Sequence, residues 1–173
     1  MHGFRGLPLA VALLLGGCAA PPVQLAADCL GALPAVTGMR ERADPELLAQ
    51  AKGPPGEGKL CDGRTYLVSA PVTVYRLWDS TRASSEFGVW WALDRPVESR
   101  EDYRRKYAIC DAWSRLDRVT TCTVQPGSTV VLGTGQSVAC DPPQAALPRT
   151  EAVQVYLPER GTRFVACTRA EWP

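Results

Sequence analysis

The chain has 173 residues, 46% of them apolar, 8% aromatic and 21% charged, with 15 Gly, 15 Pro and 7 Cys, the composition of one globular domain rather than of a disordered or fibrous chain. Its 19 Lys+Arg against 18 Asp+Glu leave a net charge of +1, so no global charge supports a nucleic-acid groove or a polyanion-binding face. The single histidine, His2, lies in a segment read below as a leader, which excludes histidine bases, Ser-His-Asp and Cys-His triads and His-containing zinc sites from the mature protein.

Residues 1–17 open Met-His-Gly-Phe-Arg and continue as an apolar run too short to cross a bilayer as a helix. They read as a signal peptide. The segment ends Leu15-Gly16-Gly17-Cys18, which resembles the bacterial lipobox, whose cysteine is acylated and becomes the new N-terminus. That resemblance implies lipid attachment at Cys18 through palmitate-type chains, each buried methylene adding about 0.8 kcal/mol. By the same rule Ala19 favours the outer membrane over the inner, with the body in the periplasm or at the cell surface. Cleavage would remove Arg5 and bring the basic residues level with the 18 acids.

Residues 18–37, rich in Ala, Pro and Leu, read as the lipidated N-terminus and a tether, and 38–173 as a single domain. Asp44-Pro45-Glu46 followed by Leu47, Leu48 and, at the far end, Lys52-Gly53 predicts a short capped helix. Residues 53–58, Gly-Pro-Pro-Gly-Glu-Gly, are a loop. From Thr65 to Trp78 the pattern changes to β-branched and aromatic residues, with Pro71 separating an approach segment from a strand that starts near Val72. Residues 88–93 predict a second strand, and Ser99-Arg100-Glu101-Asp102 caps a helix reaching about Tyr107, with a further turn at Trp113 and Leu116. Strands at 119–124 and 129–132 flank Gln125-Pro126-Gly127-Ser128 and read as a hairpin. Strands at 152–157 and 163–168 follow, while Gly133-Thr134-Gly135-Gln136 reads as a turn. The expected fold is α+β: a small, disulfide-stapled, mainly antiparallel sheet, in one piece or split, with one or two short helices.

Six cysteines follow Cys18: Cys29, Cys61, Cys110, Cys122, Cys140 and Cys167. An even number in an exported chain reads as three disulfides. No two are close enough for a zinc-type C-x₂₋₄-C pair, so no metal site is expected. The pairing stays open on sequence, with Cys110–Cys122 the favoured local bridge.

Residues 72, 74, 76 and 78 of the first long strand share a face and read Val, Val, Arg, Trp. Arg76 therefore sits among apolar neighbours and needs an anion: an internal carboxylate such as Asp79 or Glu86, or the phosphate or carboxylate of a ligand. Trp90 and Trp91 point to opposite faces, one into the core and one free to stack on a planar ligand, or both covered. Val153, Val155 and Leu157 make one apolar face, which turns Gln154 and Tyr156 outward, and a glutamine amide can orient a hydroxyl or water. Arg104-Arg105-Lys106 reads as a solvated helix face.

Val74-Tyr75-Arg76-Leu77-Trp78, Phe87-Gly88-Val89-Trp90-Trp91-Ala92, a capped helix, Val124-Gln125-Pro126-Gly127-Ser128-Thr129 and Val153-Gln154-Val155-Tyr156-Leu157-Pro158 follow one another in an order that resembles bacterial toxin domains of the ADP-ribosyltransferase-like fold. The resemblance spans residues 72–158. It implies NAD as a substrate, Arg76 and Gln154 as catalytic residues, and Arg76, Trp90, Trp91 and Tyr156 as residues binding the nucleotide. Ala92 stands where those domains carry Ser or Thr, and Glu151 and Gln154 are three apart, on opposite faces of a strand. NAD hydrolysis is therefore the implied reaction rather than protein ADP-ribosylation. Two functions are carried forward: an envelope lipoprotein that binds or hydrolyses NAD or a related nucleotide, and a non-enzymatic lipoprotein that binds a protein partner, of inhibitor or immunity type.

Overall fold

The computed structural model describes residues 29–159 and 163–173. Cys18, the leader and the start of the tether lie outside the described residues. In chain order the elements are β1 (Met39–Glu41), α1 (Pro45–Ala51), β2 (Leu60–Val68), β3 (Val72–Trp78), β4 (Trp90–Ala92), α2 (Arg100–Tyr107), β5 (Arg118–Val124), β6 (Thr129–Gly135), β7 (Thr150–Tyr156) and β8 (Phe164–Glu171). The strands form one eight-stranded antiparallel sheet, ordered β1-β2-β6-β7-β4-β3-β5-β8. The fold is the α+β, disulfide-stapled arrangement expected from the composition.

Both helices begin where capping chemistry dictates: the Asp44 side chain accepts from Leu47 N and the Ser99 hydroxyl from Asp102 N. They lie on one face of the sheet. There α2 packs Tyr103 and Tyr107 against Leu77, Ala92 and Leu116, while α1 packs Leu47 and Ala51 against Leu60 and Val131. The alternate positions of the same strands point the other way and build the main core, in which Val72, Val74, Trp91, Cys122, Val124, Val130, Leu132, Val155 and Leu157 are buried together. Over residues 29–37, placed in the tether on sequence, the chain is fastened to this body by Cys29–Cys61 and by Leu33 and Val36 packing on the main core.

The expected hairpin at Gln125-Pro126-Gly127-Ser128 does not form. β5 pairs with β3 and β8, while β6 pairs with β2 and β7. The Pro-Gly turn instead carries the chain from one half of the sheet to the other: Gly127 N donates to Val68 O and Val68 N to Ser128 O. An arch of this kind has the same strand-turn-strand pattern as a hairpin and differs only in which edges pair. Gly133 to Gly135, expected as a turn, is the end of β6.

The disulfides are Cys29–Cys61, Cys110–Cys140 and Cys122–Cys167. The local Cys110–Cys122 bridge is thus corrected, for a register reason. Cys122 lies directly opposite Cys167 in the β5–β8 ladder and faces the core, whereas Cys110 sits beyond the end of α2 against the loop after β6.

Candidate functional site

The strands β3, β4 and β7 are neighbours, but β3 and β4 share a single paired position, Tyr75↔Ala92. Continuing that antiparallel register would put Arg76 opposite Trp91 and Leu77 opposite Trp90, and there the ladder is open. The Trp90 carbonyl, which points away from β7, is met by a side chain: Arg76 Nη1 donates to it at 2.6 Å, and Arg76 Nε donates to Ser85 O at 2.7 Å. Gly88 permits this approach, because a Cβ there would stand 2.3 Å from Arg76 Nη2. The two carboxylates considered as partners have other engagements. Asp79 accepts from Thr81 N, Thr81 Oγ1 and Arg115 N, and Glu86 accepts from Thr120 and pairs with Arg169. Asp79 is held below the usual carboxylate range by the Thr81 hydroxyl above all, and by the backbone N–H groups of Thr81 and Arg115.

Beside this splayed ladder, on the helix face, lies a cavity of about 180 Å³. Its lining brings together Arg76 and Leu77 of β3, Trp90 of β4, Tyr107 at the end of α2, Gln136 after β6 and Gln154 of β7. Lys59 on one side and the segment from Ala108 to Leu116, with Ile109, Trp113 and Ser114, complete it. Three of the residues marked on sequence, Arg76, Trp90 and Gln154, therefore meet in one place.

The others do not. Trp91 is 3% exposed, packs its ring on Phe164 and donates Nε1–H to Gly88 O, so it belongs to the core. Tyr156 packs its ring against Trp90 in a tilted arrangement, with centroids 4.8 Å apart and planes at 52°, and does not line the cavity. The expectation that Gln154 and Tyr156 face outward is corrected: β7 is a central strand covered on both faces, and Gln154 is 8% exposed beneath α2. Arg104 is likewise no part of a solvated face. Its guanidinium, pulled down from its ordinary value by burial, donates to Cys110 O and Ser114 O and pairs with Asp111.

Several lining residues carried no sequence signal, and backbone conformation explains why. The non-glycine residues with left-handed φ among the described residues are Lys59 (66°), Ala108 (50°) and Leu116 (53°), and all three line this cavity. Such conformations are uncommon away from glycine and cluster where a structure holds a site in shape. Ala108 ends α2 in the left-handed cap and Leu116 returns the chain to β5, so the strap from 108 to 116 is set at both ends. Cys110–Cys140, the two Arg104 hydrogen bonds and Arg82 Nη1 donating to Trp113 O fix its middle.

The electrostatics suit recognition more than proton transfer. Among the described residues lining the cavity there is no carboxylate, thiol or histidine. The Tyr107 hydroxyl is pushed up by burial, so it stays protonated at neutral pH. Gln136 is heavily engaged: Nε2 donates to Gly53 O, and Oε1 accepts from Ser137 N, Ser137 Oγ and Arg149 Nε. No group of His, Cys, Asp and Glu able to hold a metal ion occurs among the described residues. No helix among them is long and apolar enough to cross a membrane.

No family model, no curated protein and no solved structure matches the chain.

Proposed function

We propose that this chain is a lipid-anchored envelope protein whose cavity binds NAD or a related nucleotide, with a ring end inside and the phosphates toward Lys59. The observation that carries the reading is that Arg76, Trp90 and Gln154, marked independently on three stretches of sequence, line one cavity. A volume of about 180 Å³ is below the 300–1,000 Å³ usual for a whole drug-sized ligand, so it suits one planar ring with the remainder outside. Binding is supported more strongly than hydrolysis. Among the described residues the lining holds no carboxylate or histidine to serve as general base, and a glutamine amide can only orient water or a ribose hydroxyl. Any hydrolysis would rest on stabilising a ribosyl oxocarbenium ion.

Calorimetric titration of the oxidised protein with NAD tests the reading. Saturable heat at up to millimolar ligand is expected, and its absence overturns it. The anchor has its own test: wild-type protein expressed in a bacterial host should take up labelled palmitate and Cys18→Ser should not. A Cys18→Ser chain that is still labelled overturns the anchor.

One observation favours the protein-partner reading. β8 is exposed along nearly its whole length, with seven of its eight residues exposed, and it is paired on one edge only, to β5. An edge strand that buries so little leaves main-chain donors and acceptors open to a partner strand.

A further inference from the structure

Resting on the nucleotide reading and going further, we infer that the cavity recognises a planar ring by a hydrogen-bond donor and acceptor set side by side on its edge, the pattern of a primary carboxamide or an aminopurine. Gln154 reads that edge and Trp113 covers the face of the ring.

Gln154 is 8% exposed in the middle of a central strand, so its amide must find partners in the protein, in water within the cavity or in a ligand that displaces that water. Nε2 makes one long hydrogen bond, 3.5 Å to Tyr107 O. Among the described residues nothing donates to Oε1, and the second N–H has no acceptor. The contrast with Gln136, whose Oε1 accepts from three donors in the same cavity, shows that an amide oxygen there is not left open for want of donors. What Gln154 retains is one donor and one acceptor in a single plane. Another amide or an aminopurine edge satisfies both at once, the geometry by which glutamine pairs with adenine. A carboxylate offers two acceptors and would set one of its oxygens against Oε1.

Trp113 supplies the second half. It is 48% exposed, an unusual state for a tryptophan, at the rim of the cavity beside Gly58. Its backbone is fixed on both sides, with N donating to Cys110 O at 3.1 Å and O accepting from Arg82 Nη1 at 3.2 Å. An indole that lines a ring-sized space on a fixed backbone has only two side-chain torsions to lose on stacking, which makes it an economical binding anchor.

Fluorescence and calorimetric titrations with the two halves of NAD, nicotinamide mononucleotide and AMP, test this. At least one should bind, and the one that does identifies the ring. Its counterpart lacking the donor, nicotinic acid mononucleotide or purine riboside monophosphate, should bind at least ~10-fold more weakly, as for a buried polar group left unpaired. Gln154→Leu, close in volume, should abolish that discrimination, and Trp113→Ala should weaken binding roughly 10-fold with an unchanged melting temperature. Equal binding of both counterparts, or discrimination that survives Gln154→Leu, overturns the inference while leaving the NAD reading standing. If NAD, nicotinamide mononucleotide and AMP all fail to bind, both fall together.

Discussion

Replacing Cys110 and Cys140 together by serine should cost roughly 3–4 kcal/mol of stability and abolish ligand binding, because this bridge both closes a loop and pins the strap that walls the cavity. The stability loss follows from chain entropy for a sequence separation of 30. The bridge between Cys29 and Cys61, with a separation of 32, should cost nearly the same when removed. It joins the N-terminal segment to β2 and neither cysteine lines the cavity, so the Cys29→Ser/Cys61→Ser protein should still bind wherever it is folded. Denaturant melts and NAD titrations of the two double variants, at a temperature where both are folded, read the comparison. Equal loss of binding in both would mean that global stability, and not the strap, governs the site.

Arg76→Ala should destabilise the protein by roughly 2–5 kcal/mol, the cost of leaving two carbonyl acceptors, Ser85 O and Trp90 O, without their charged donor. Arg76→Lys should fall between wild type and Ala, because one ammonium cannot reproduce a planar fork that spans two acceptors. Urea unfolding of the three proteins gives the order. The sequence invited two other pictures, Arg76 paired with an internal carboxylate such as Asp79 or Glu86, or Arg76 as a clamp on a ligand phosphate or carboxylate. In the structure its guanidinium closes the gap where β3 and β4 part, which gives it a positioning role for Trp90. An Arg76→Ala protein of unchanged stability that had lost NAD binding would restore the clamp.

The clamp was plausible because an arginine among apolar strand residues demands an acceptor, and sequence suggests charged ones first. Backbone carbonyls are acceptors too, but only the pairing of β3 with β4 shows that one of them has been left without a ladder partner. Gln154 was misread for a related reason. Alternation of Val153, Val155 and Leu157 gives the correct parity of β7, yet parity cannot tell whether the opposite face meets water or a helix. With α2 lying over it, Gln154 becomes a buried amide, and that change in solvation gives it meaning as a recognition group. Trp113 was legible only as part of a helical turn and carried no sign of a binding role, since the short 3-10 turn it stands on is aimed at the cavity by two left-handed residues that are not glycines.

By itself the sequence determined what depends on neighbouring residues. N-cap side chains started both helices, β-branched runs made the strands, and an even set of cysteines made three bridges, because these are local preferences written within a few residues of one another. The tertiary structure alone decided which strands pair, which cysteines meet and which side chains share a cavity. Those choices were settled by burying two faces of one sheet at once, with the Val74 and Val155 face in the main core and the Leu77 and Gln154 face beneath α2. The gain from burial depends on the whole surface removed from water. No single stretch of this chain carries that information: the arch at Gly127 and a hairpin there would satisfy the same local pattern, and only the arch carries β5 and β6 to opposite halves of the sheet.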